Sequence, residues 1–415
     1  MKKSKFYAMA LLMPVALIST TSCTENDGPY SEPSQVTCPV DPTTTNIINT
    51  AKKHSFSLFS EVDATEKPNE NICISPLSVT ELLTMISNGA NGETLNQIDN
   101  ILGTSNSDRV RVNEALKSLN NWFTYCDSQT TVHTAFSQWI NKGFEVKLDY
   151  ITNNAKWLRA ETYEQPLSTI ATKDDINKWC SYNTNGCIKE FLKDPLSSDC
   201  KMALFNALYF KGMWKYKFDK SNTSEKEFTN LDGSKPMVQM MHQSTTLPTY
   251  TGEKIDMVEF PYGKDIYCMD IILPHEDQSL EECMKDVNMT TFSKWLDESR
   301  DMAVDVSMPR MELRYGVILN EPLMAMGMTD AFSPTSADFS GISDNPLFIS
   351  IIKQETYIKI DEEGTEAAAV TGTIKFESST PTSNLFSFNI NRPFAYIIRD
   401  KSTGMILFIG RVVKL

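Results

Sequence analysis

The sequence predicts an α+β protein, because helical and extended segments are mixed along the chain without the strand–helix–strand rhythm of a parallel α/β sheet. The extended segments are short, nearly continuous apolar runs such as 201–211 and 405–413. The helical signal is a set of apolar residues spaced along one helix face, as at Val79, Leu82, Leu83 and Ile86.

Further segments follow the same two patterns along the chain. Helices are predicted from Asn46 onward, from Ser75 and Pro76 with Ser78 as the N-cap, at 94–102, 107–125, 173–181, 280–284 and 290–296, and from Asn320. Strands are predicted at 71–74, 134–140, 201–211, 257–260, 266–273, 303–308, 348–360, 394–398 and 405–413. No long Gly/Pro/Ser linker divides the chain after residue 47, so 47–415 is predicted to be a single domain.

The N-terminus has the pattern of an export signal. Three lysines within residues 2–5 precede an apolar stretch at 6–18 that is too short to span a bilayer, which predicts a signal peptide over 1–22. Small residues directly before Cys23 resemble a bacterial lipobox, which implies cleavage and acylation at Cys23 and an outer-membrane lipoprotein. Glu25 and Asp27 after the cysteine resemble the acidic surface-export signal of some such lipoproteins, which implies a cell-surface or extracellular location. Cleavage near Cys23 without a lipid is the alternative. The Pro/Ser/Thr-rich residues 23–46 are predicted to be a tether.

Composition and motifs exclude several function classes. A net charge of −14 argues against nucleic acid or an anionic membrane surface as a partner. The four histidines have no ligand spacing, and the chain has none of the usual hydrolase, metalloprotease, phosphate-loop or dinucleotide motifs. We therefore predict no enzyme activity, no metal and no cofactor. Cys73 and Cys268 are expected to be buried thiols, and a bridge among Cys180, Cys187 and Cys200 is left open.

The segment 362–373 follows the predicted strand 348–360 and precedes a Ser/Thr/Pro-rich stretch at 378–384. From Ala367 to Thr373 it holds only small or uncharged residues and no proline, so it can remain extended in solvent or enter a sheet as an added strand. A flexible linker is the alternative for this segment taken alone.

Motifs along most of the chain resemble those of the serpins, a family of serine protease inhibitors. The motifs are Glu362-Glu-Gly-Thr-Glu-Ala-Ala-Ala369, Asn391-Arg-Pro-Phe394, Asn71-Ile-Cys-Ile-Ser-Pro-Leu-Ser78, Gly89-Ala-Asn-Gly-Glu-Thr94, Asn206 to Trp214, Val238 to Met241, Glu259 to Gly263, Met308 to Arg310, Asp330 to Pro334, Ala337 to Gly341 and Ile406 to Val412. The resemblance implies the serpin fold, with three β-sheets, about eight or nine helices and an exposed reactive loop.

The resemblance also implies a mechanism, the trapping of a serine endopeptidase, or of a papain-like cysteine protease, by a suicide substrate. The protease cuts the loop and forms an acyl-enzyme, and the cut loop then enters the main sheet between the strands near 348–360 and 201–211. The uncut protein is therefore metastable. The hinge of the loop corresponds to Glu362, Glu363, Gly364, Thr365, Glu366, Ala367, Ala368 and Ala369.

The family pattern further implies a reactive bond and a set of residues that control sheet opening. The bond is placed at Ser378–Ser379, with Lys375–Phe376 as the alternative, so elastase-like proteases are expected first and trypsin-like proteases second. The controlling residues are Ser75, Ser78, Asn206 and Gln354, called here the shutter cluster, together with Trp214 where the loop enters. Serpins usually have histidine at Gln354, so no pH-sensitive group is expected at that position. We expect a monomer.

Two other functions are compatible with the sequence. A non-inhibitory serpin would act as a surface binding module, although hinges of that kind usually carry bulky or charged residues. A polysaccharide-binding lipoprotein would need exposed aromatic platforms, whereas most tryptophans here lie within the predicted helices and strands of the fold.

Overall fold

The computed structural model describes residues 38–39, 41–105, 107–285, 287–365 and 385–415. Within them lie nine α-helices: α1 (Pro42–Thr65), α2 (Pro76–Ser87), α3 (Gly92–Leu102), α4 (Arg109–Tyr125), α5 (Leu148–Leu158), α6 (Ile170–Asn183), α7 (Leu280–Met284), α8 (Met289–Glu298) and α9 (Asn320–Ala325). Fifteen strands accompany them: β1 (Ile72–Ile74), β2 (Thr130–Asn141), β3 (Glu161–Gln165), β4 (Met202–Met213), β5 (Ser224–Glu227), β6 (Met237–Thr251), β7 (Ile255–Pro261), β8 (Tyr267–Pro274), β9 (Arg300–Pro309), β10 (Met311–Ile318), β11 (Lys353–Asp361), β12 (Gly364–Thr365), β13 (Phe386–Asn389), β14 (Phe394–Asp400) and β15 (Ile406–Val412).

The strands form two hydrogen-bonded sheets, and the predicted α+β class is confirmed. One sheet has six strands in the order β10-β11-β12-β4-β2-β3. The other has nine, in the order β1-β15-β14-β8-β7-β6-β9-β13, with β5 paired to β6. The family resemblance implies three sheets. Two of them form one continuous ladder here because the 15-residue β6 pairs with β7 at one end and with β5 and β9 along its length.

The helix α1 starts earlier than the sequence suggested. Asp41 is its N-cap, and the Asp41 carboxylate accepts hydrogen bonds from the backbone N–H groups of Thr43 at 3.0 Å and Thr44 at 3.2 Å. Pro42 suits the first helical position because its missing N–H is not needed there. The predicted tether 23–46 is therefore wrong at its end, since 42–46 are helical, and residues 23–37 lie outside the described part of the chain.

The N-cap of α2 is Ser75 and not Ser78, contrary to the prediction. The Ser75 hydroxyl accepts a hydrogen bond from the Ser78 N–H at 3.2 Å, and Pro76 occupies the first turn. This shift leaves the Ser78 side chain free to contact the six-stranded sheet.

The predicted strand 348–360 is shorter in the structure, because β11 begins at Lys353. The residues before it are apolar because Leu347 and Ile349 pack on the core beside α2, not because they belong to a sheet. Their backbone groups bond elsewhere: Ile349 N–H donates to the Ala331 carbonyl at 2.9 Å, and Ile352 N–H donates to Asn320 Oδ1 at 2.8 Å.

Alternating residues of β4 face two different layers. Ala203, Phe205 and Ala207 belong to the core between the sheet and α6, whereas Met202 and Leu204 pack into the core beside α2. By the same period of two, Asn206 faces α2. Cys180 and Cys200 are buried free thiols, and Cys73 and Cys268 are buried as predicted. No helix of the described residues is both long and apolar enough to cross a bilayer.

Candidate functional site

The first residues of the hinge lie between two strands of the six-stranded sheet. After β11 ends at Asp361, the chain turns and forms β12, which pairs antiparallel with β11 through Ile360↔Thr365 and Asp361↔Gly364. The other edge of β12 pairs antiparallel with β4, through Gly364↔Met213 and Thr365↔Gly212. Among the described residues, β4 and β11 have no ladder with each other, so β12 alone joins the two halves of this sheet.

Gly364 is required by the close approach of the hinge to β4. Its φ of +153° lies in the region that favours glycine. A Cβ atom built there would lie 2.0 Å from the Gly212 carbonyl oxygen and 2.8 Å from the Met213 Cα. Both contacts are with backbone, so a side chain at residue 364 would push β12 out of its place in the sheet.

Aromatic side chains cover the end of the sheet at which the hinge enters. Trp214 stacks on Tyr262 with ring centroids 4.5 Å apart and planes at 11°. The Trp214 indole N–H donates to the Asp361 carbonyl at 2.9 Å, and its backbone N–H donates to the Glu363 carbonyl at 2.8 Å. The Tyr262 hydroxyl lies 2.5 Å from the Thr365 hydroxyl. Trp214 therefore contacts the hinge through its backbone and the last residue of β11 through its side chain.

Glu362 anchors the start of the hinge through a charged contact. Its carboxylate is 1% exposed and accepts hydrogen bonds from Arg310, from Nε at 2.8 Å and from Nη2 at 2.5 Å. The Thr223 hydroxyl also donates to it. Burial acts to raise the pKa of Glu362, but the hydrogen bonds from Arg310 and Thr223 outweigh burial and hold this pKa below its usual value.

Glu363, in contrast, lies at the surface of the turn. Its carboxylate pairs with Lys217 Nζ at 2.8 Å and with Lys220 Nζ at 3.5 Å. These lysines lower the pKa of Glu363. Because the partners are largely exposed, the two pairs contribute little to stability.

The shutter cluster lies under the same sheet, at the first turn of α2. The side-chain amide of Gln354, on β11, makes two hydrogen bonds with the backbone of Ser75. Its Oε1 accepts from the Ser75 N–H at 2.9 Å, and its Nε2 donates to the Ser75 carbonyl at 2.9 Å. Ser78 donates its hydroxyl to Asn206 Oδ1 on β4. The structure thus brings together all four predicted residues, with Ser75 bound to β11 and Ser78 bound to β4.

The remaining predicted site residues lie outside the described part of the chain. These are the hinge residues Glu366, Ala367, Ala368 and Ala369, the reactive-bond residues Ser378, Ser379, Lys375 and Phe376, and the lipid-attachment residue Cys23. They stay predictions.

One buried cluster within the described residues has the side chains of a metal site but is already neutralised by protein cations. Glu259, Cys268 and Asp270 approach one another closely. Arg399 Nε donates to Asp270 at 2.7 Å and its Nη2 donates to Glu259, while Lys401 Nζ donates to Glu259 at 2.6 Å. Two carboxylates facing two cations form an ion-pair network, so the cluster does not fit a metal ion.

Several contacts made by the predicted site residues were not predicted from the sequence. Arg310, Tyr262 and Thr223 contact the hinge, and Glu81 contacts Asn206 from below through an Nδ2–Oε2 distance of 3.2 Å. Arg310 and Tyr262 lie in motifs that carried the family resemblance, so a signal for them was present. Nothing in the sequence pairs Thr223 or Glu81 with these partners.

Comparisons with known proteins agree with this geometry. Residues 49–415 match the family model described as Serpin (serine protease inhibitor). Glia-derived nexin of Rattus norvegicus is 31% identical over 86% of this chain and 91% of its own length. The native state of the thermophilic serpin tengpin has a TM-score of 0.81 and 31% identity, over 91% of this chain and 96% of that one. Thyroxine-binding globulin in complex with thyroxine has a TM-score of 0.79 and 26% identity, over 88% and 98%. This chain therefore belongs to the serpin family.

Proposed function

We propose that this serpin inhibits serine endopeptidases, and papain-like cysteine proteases as a second class, by covalent trapping of the protease and insertion of the cut loop into the six-stranded sheet. It performs no catalysis of its own, because the protease supplies the nucleophile. Cleavage gives an acyl-enzyme, and insertion of the loop then moves and distorts the protease before water can release it.

The observation that carries the proposal is the position of Gly364 and Thr365. They already pair with β11 on one side and with β4 on the other, and these two strands share no ladder among the described residues. Each further loop residue that follows Thr365 into the same space extends a strand that is already started. The inserted strand is antiparallel to both neighbours, so each residue gains hydrogen bonds with little rearrangement of the flanking strands.

The sequence that follows Thr365 fits such a strand. At a period of two from Thr365, the inward positions are Ala367, Ala369, Thr371 and Thr373, all small. Thr365 itself is 1% exposed and packs inward. Insertion of about a dozen residues at ~1 kcal/mol per net hydrogen bond releases on the order of 10–20 kcal/mol. The proposal therefore requires that the uncut protein is kinetically trapped in a state of higher free energy than the inserted form.

The target follows from the proposed reactive bond. Cleavage at Ser378–Ser379 favours elastase-like proteases, and cleavage at Lys375–Phe376 favours trypsin-like proteases. A cut after Lys375 leaves three fewer residues to insert than a cut after Ser378. Fewer inserted residues form fewer hydrogen bonds, so less free energy is released to distort the protease.

The test is to mix the protein with elastase, trypsin or chymotrypsin and to run a denaturing gel. A band at the summed mass supports covalent trapping, and a protease with a blocked active-site serine is the control that must give no band. Mass spectrometry of the released C-terminal fragment then identifies the bond, since the fragment begins at Ser379 or at Phe376. Cleavage without a covalent band, or no cleavage at all, contradicts the proposal.

A binding function without inhibition is the second candidate, because thyroxine-binding globulin is among the similar structures. It predicts that the thermal stability stays unchanged after the loop is cut. An inhibitory loop predicts a large rise in melting temperature on cleavage, because insertion releases the stored free energy.

We further propose export by the signal at 1–22, acylation at Cys23 and display as a monomer at the outer-membrane surface. The support is the sequence pattern around Cys23. At this location the proposed inhibitor meets proteases from outside the cell.

A further inference from the structure

A buried carboxyl group, that of Glu81, lies directly beneath the shutter cluster. Glu81 is in the middle of α2 and its side chain is 0% exposed. Its Oε2 accepts a hydrogen bond from Asn206 Nδ2 at 3.2 Å, and Asn206 in turn accepts from the Ser78 hydroxyl. The carboxyl therefore contacts β4 directly, and β4 borders the space that the loop would enter.

The environment of this carboxyl is that of an uncharged acid. The other oxygen, Oε1, is fully buried and has no hydrogen-bond partner in the part of the chain that the structure describes. Asn120 of α4 lies against the same carboxyl, and Asn120 Oδ1 is also buried without a donor. Two acceptors without a donor are costly, and a proton on Glu81 is the donor that this site lacks.

No cation among the described residues compensates a charge at this site. The side chains that interact with the carboxyl are Asn206 of β4, Thr134 of β2 and Asn120 of α4, and all three are neutral. Of the acidic groups on α1 and α3, which also pack on α2, Asp63 pairs with Arg411 and Asp99 pairs with Arg109. Those two arginines, from β15 and α4, are therefore already occupied.

Burial is the largest influence on this group. It raises the pKa of Glu81 to about 8, against the smaller opposing influence of the neighbouring Asn206, Thr134 and Asn120 side chains, and no charged group of the described residues contributes. This direction agrees with the geometry, because neither indicates a stable carboxylate at neutral pH.

We propose that Glu81 is a positioning residue for sheet opening: in its neutral form it holds Asn206 and β4 against α2, and its ionisation releases β4. A buried carboxylate without a cation is relieved when water reaches it, and water reaches it when β4 moves away from α2. The family histidine is replaced here by Gln354, which does not titrate, so Glu81 gives the shutter cluster a different pH response.

The sign of the effect follows from linkage. Glu81 is ionised in the unfolded chain above its ordinary pKa but stays protonated in the folded protein until pH approaches 8, so the folded state loses stability as pH rises through that window. Between about pH 6 and pH 9 the unfolding equilibrium constant should rise on the order of a hundredfold. Opening of the sheet should accelerate in the same direction.

The experiment compares the full-length protein with E81Q. Glutamine keeps the shape, accepts from Asn206 and supplies a permanent N–H donor, so the urea unfolding midpoint of E81Q should be nearly independent of pH in this window. E114Q removes an exposed carboxylate from α4 and should keep the wild-type profile. A second readout is the rate at which a labelled peptide copying residues 364–376 enters the sheet, which should rise on the order of tenfold from pH 7 to pH 9 in the wild type only.

A flat wild-type unfolding profile overturns the proposal, and so does a profile in E81Q that equals the wild type. If E81Q does not fold, E81L removes the titration with an apolar side chain and is expected to give the same flat profile. The peptide readout rests on the proposed inhibitory function, whereas the unfolding readout does not. Loss of peptide uptake with the pH-dependent unfolding intact therefore counts against the loop mechanism and leaves the role of Glu81 standing.

Discussion

Replacement of Arg310 by glutamine should destabilise the uncut protein more than replacement of its partner Glu362 by glutamine. Arg310 donates to Glu362 from two nitrogens, at 2.8 and 2.5 Å, and Glu362 is 1% exposed. In R310Q the carboxylate remains buried with the Thr223 hydroxyl as its main donor. In E362Q the buried carboxylate charge is removed, and the amide oxygen of the glutamine can still accept hydrogen bonds from Arg310 and Thr223.

The magnitude follows from the asymmetry of the pair. Removal of one partner of a fully buried ion pair costs about 3–5 kcal/mol. The Arg310 side chain is 41% exposed, so water can partly replace it, and we reduce the cost of R310Q to about 2 kcal/mol. E362Q should cost about 1 kcal/mol, the value of a weakened charge-assisted hydrogen bond.

The pH dependence gives a second check. The pKa of Glu362 is held below its usual value, so the stabilisation it contributes is present above the ordinary glutamate pKa and is lost as pH falls through the lower, folded-state pKa. The difference between wild type and R310Q should therefore shrink in acid.

The assay is urea unfolding at neutral and acid pH, with R314Q as the matched control. Arg314 is 60% exposed and forms a long contact of 3.4 Å with Glu312, so R314Q should change the free energy of unfolding by less than about 0.5 kcal/mol. If E362Q proves as costly as R310Q at neutral pH, the account of a buried, arginine-dependent carboxylate is wrong.

Two further predictions concern the hinge and the anchor. T365R should convert the proposed inhibitor into a substrate, because Thr365 is 1% exposed and an arginine cannot be buried between β11 and β4. Cut T365R should show no covalent band and little rise in melting temperature, whereas T365S should behave as wild type. C23S should abolish metabolic labelling with a fatty acid and release the protein from the membrane fraction, and labelling that persists in C23S would contradict acylation at Cys23.

The elements with strong periodicity could be predicted from sequence, and their ends could not. The buried face of α1 and the strand at 201–211 were both identified, yet α1 starts at Pro42 because the Asp41 carboxylate caps it. The run before β11 was assigned to the strand because burial in a sheet and burial beneath a loop give the same apolar pattern. Only the hydrogen bonds that the Ile352 and Ile349 N–H groups donate to Asn320 and Ala331 distinguish the two cases.

The site was predicted as far as family motifs reach. Ser75, Ser78, Asn206 and Gln354 do lie together, but their division into two contacts depends on which side of α2 each serine faces. The turn that caps α2 uses the Ser75 hydroxyl and leaves the Ser78 hydroxyl for Asn206. Which serine caps α2 therefore determines which serine can contact β4. The sequence motif contains both serines and does not distinguish them.

The contacts at the two ends of the six-stranded sheet differ in kind. At the hinge end, β11 and β4 are already joined through β12, and the Arg310–Glu362 pair holds the turn that feeds the loop. Further down, each strand is bound separately to α2, β11 through Gln354 and β4 through Asn206. In the proposed mechanism, insertion would therefore start without disturbing α2, but it would proceed only if β4 or β11 leaves its contact with that helix. The contact between β4 and α2 includes the titratable Glu81, whereas the contact between β11 and α2, made by Gln354 and Ser75, contains no titratable group. A rise in pH should therefore weaken the contact of β4 with α2 before that of β11.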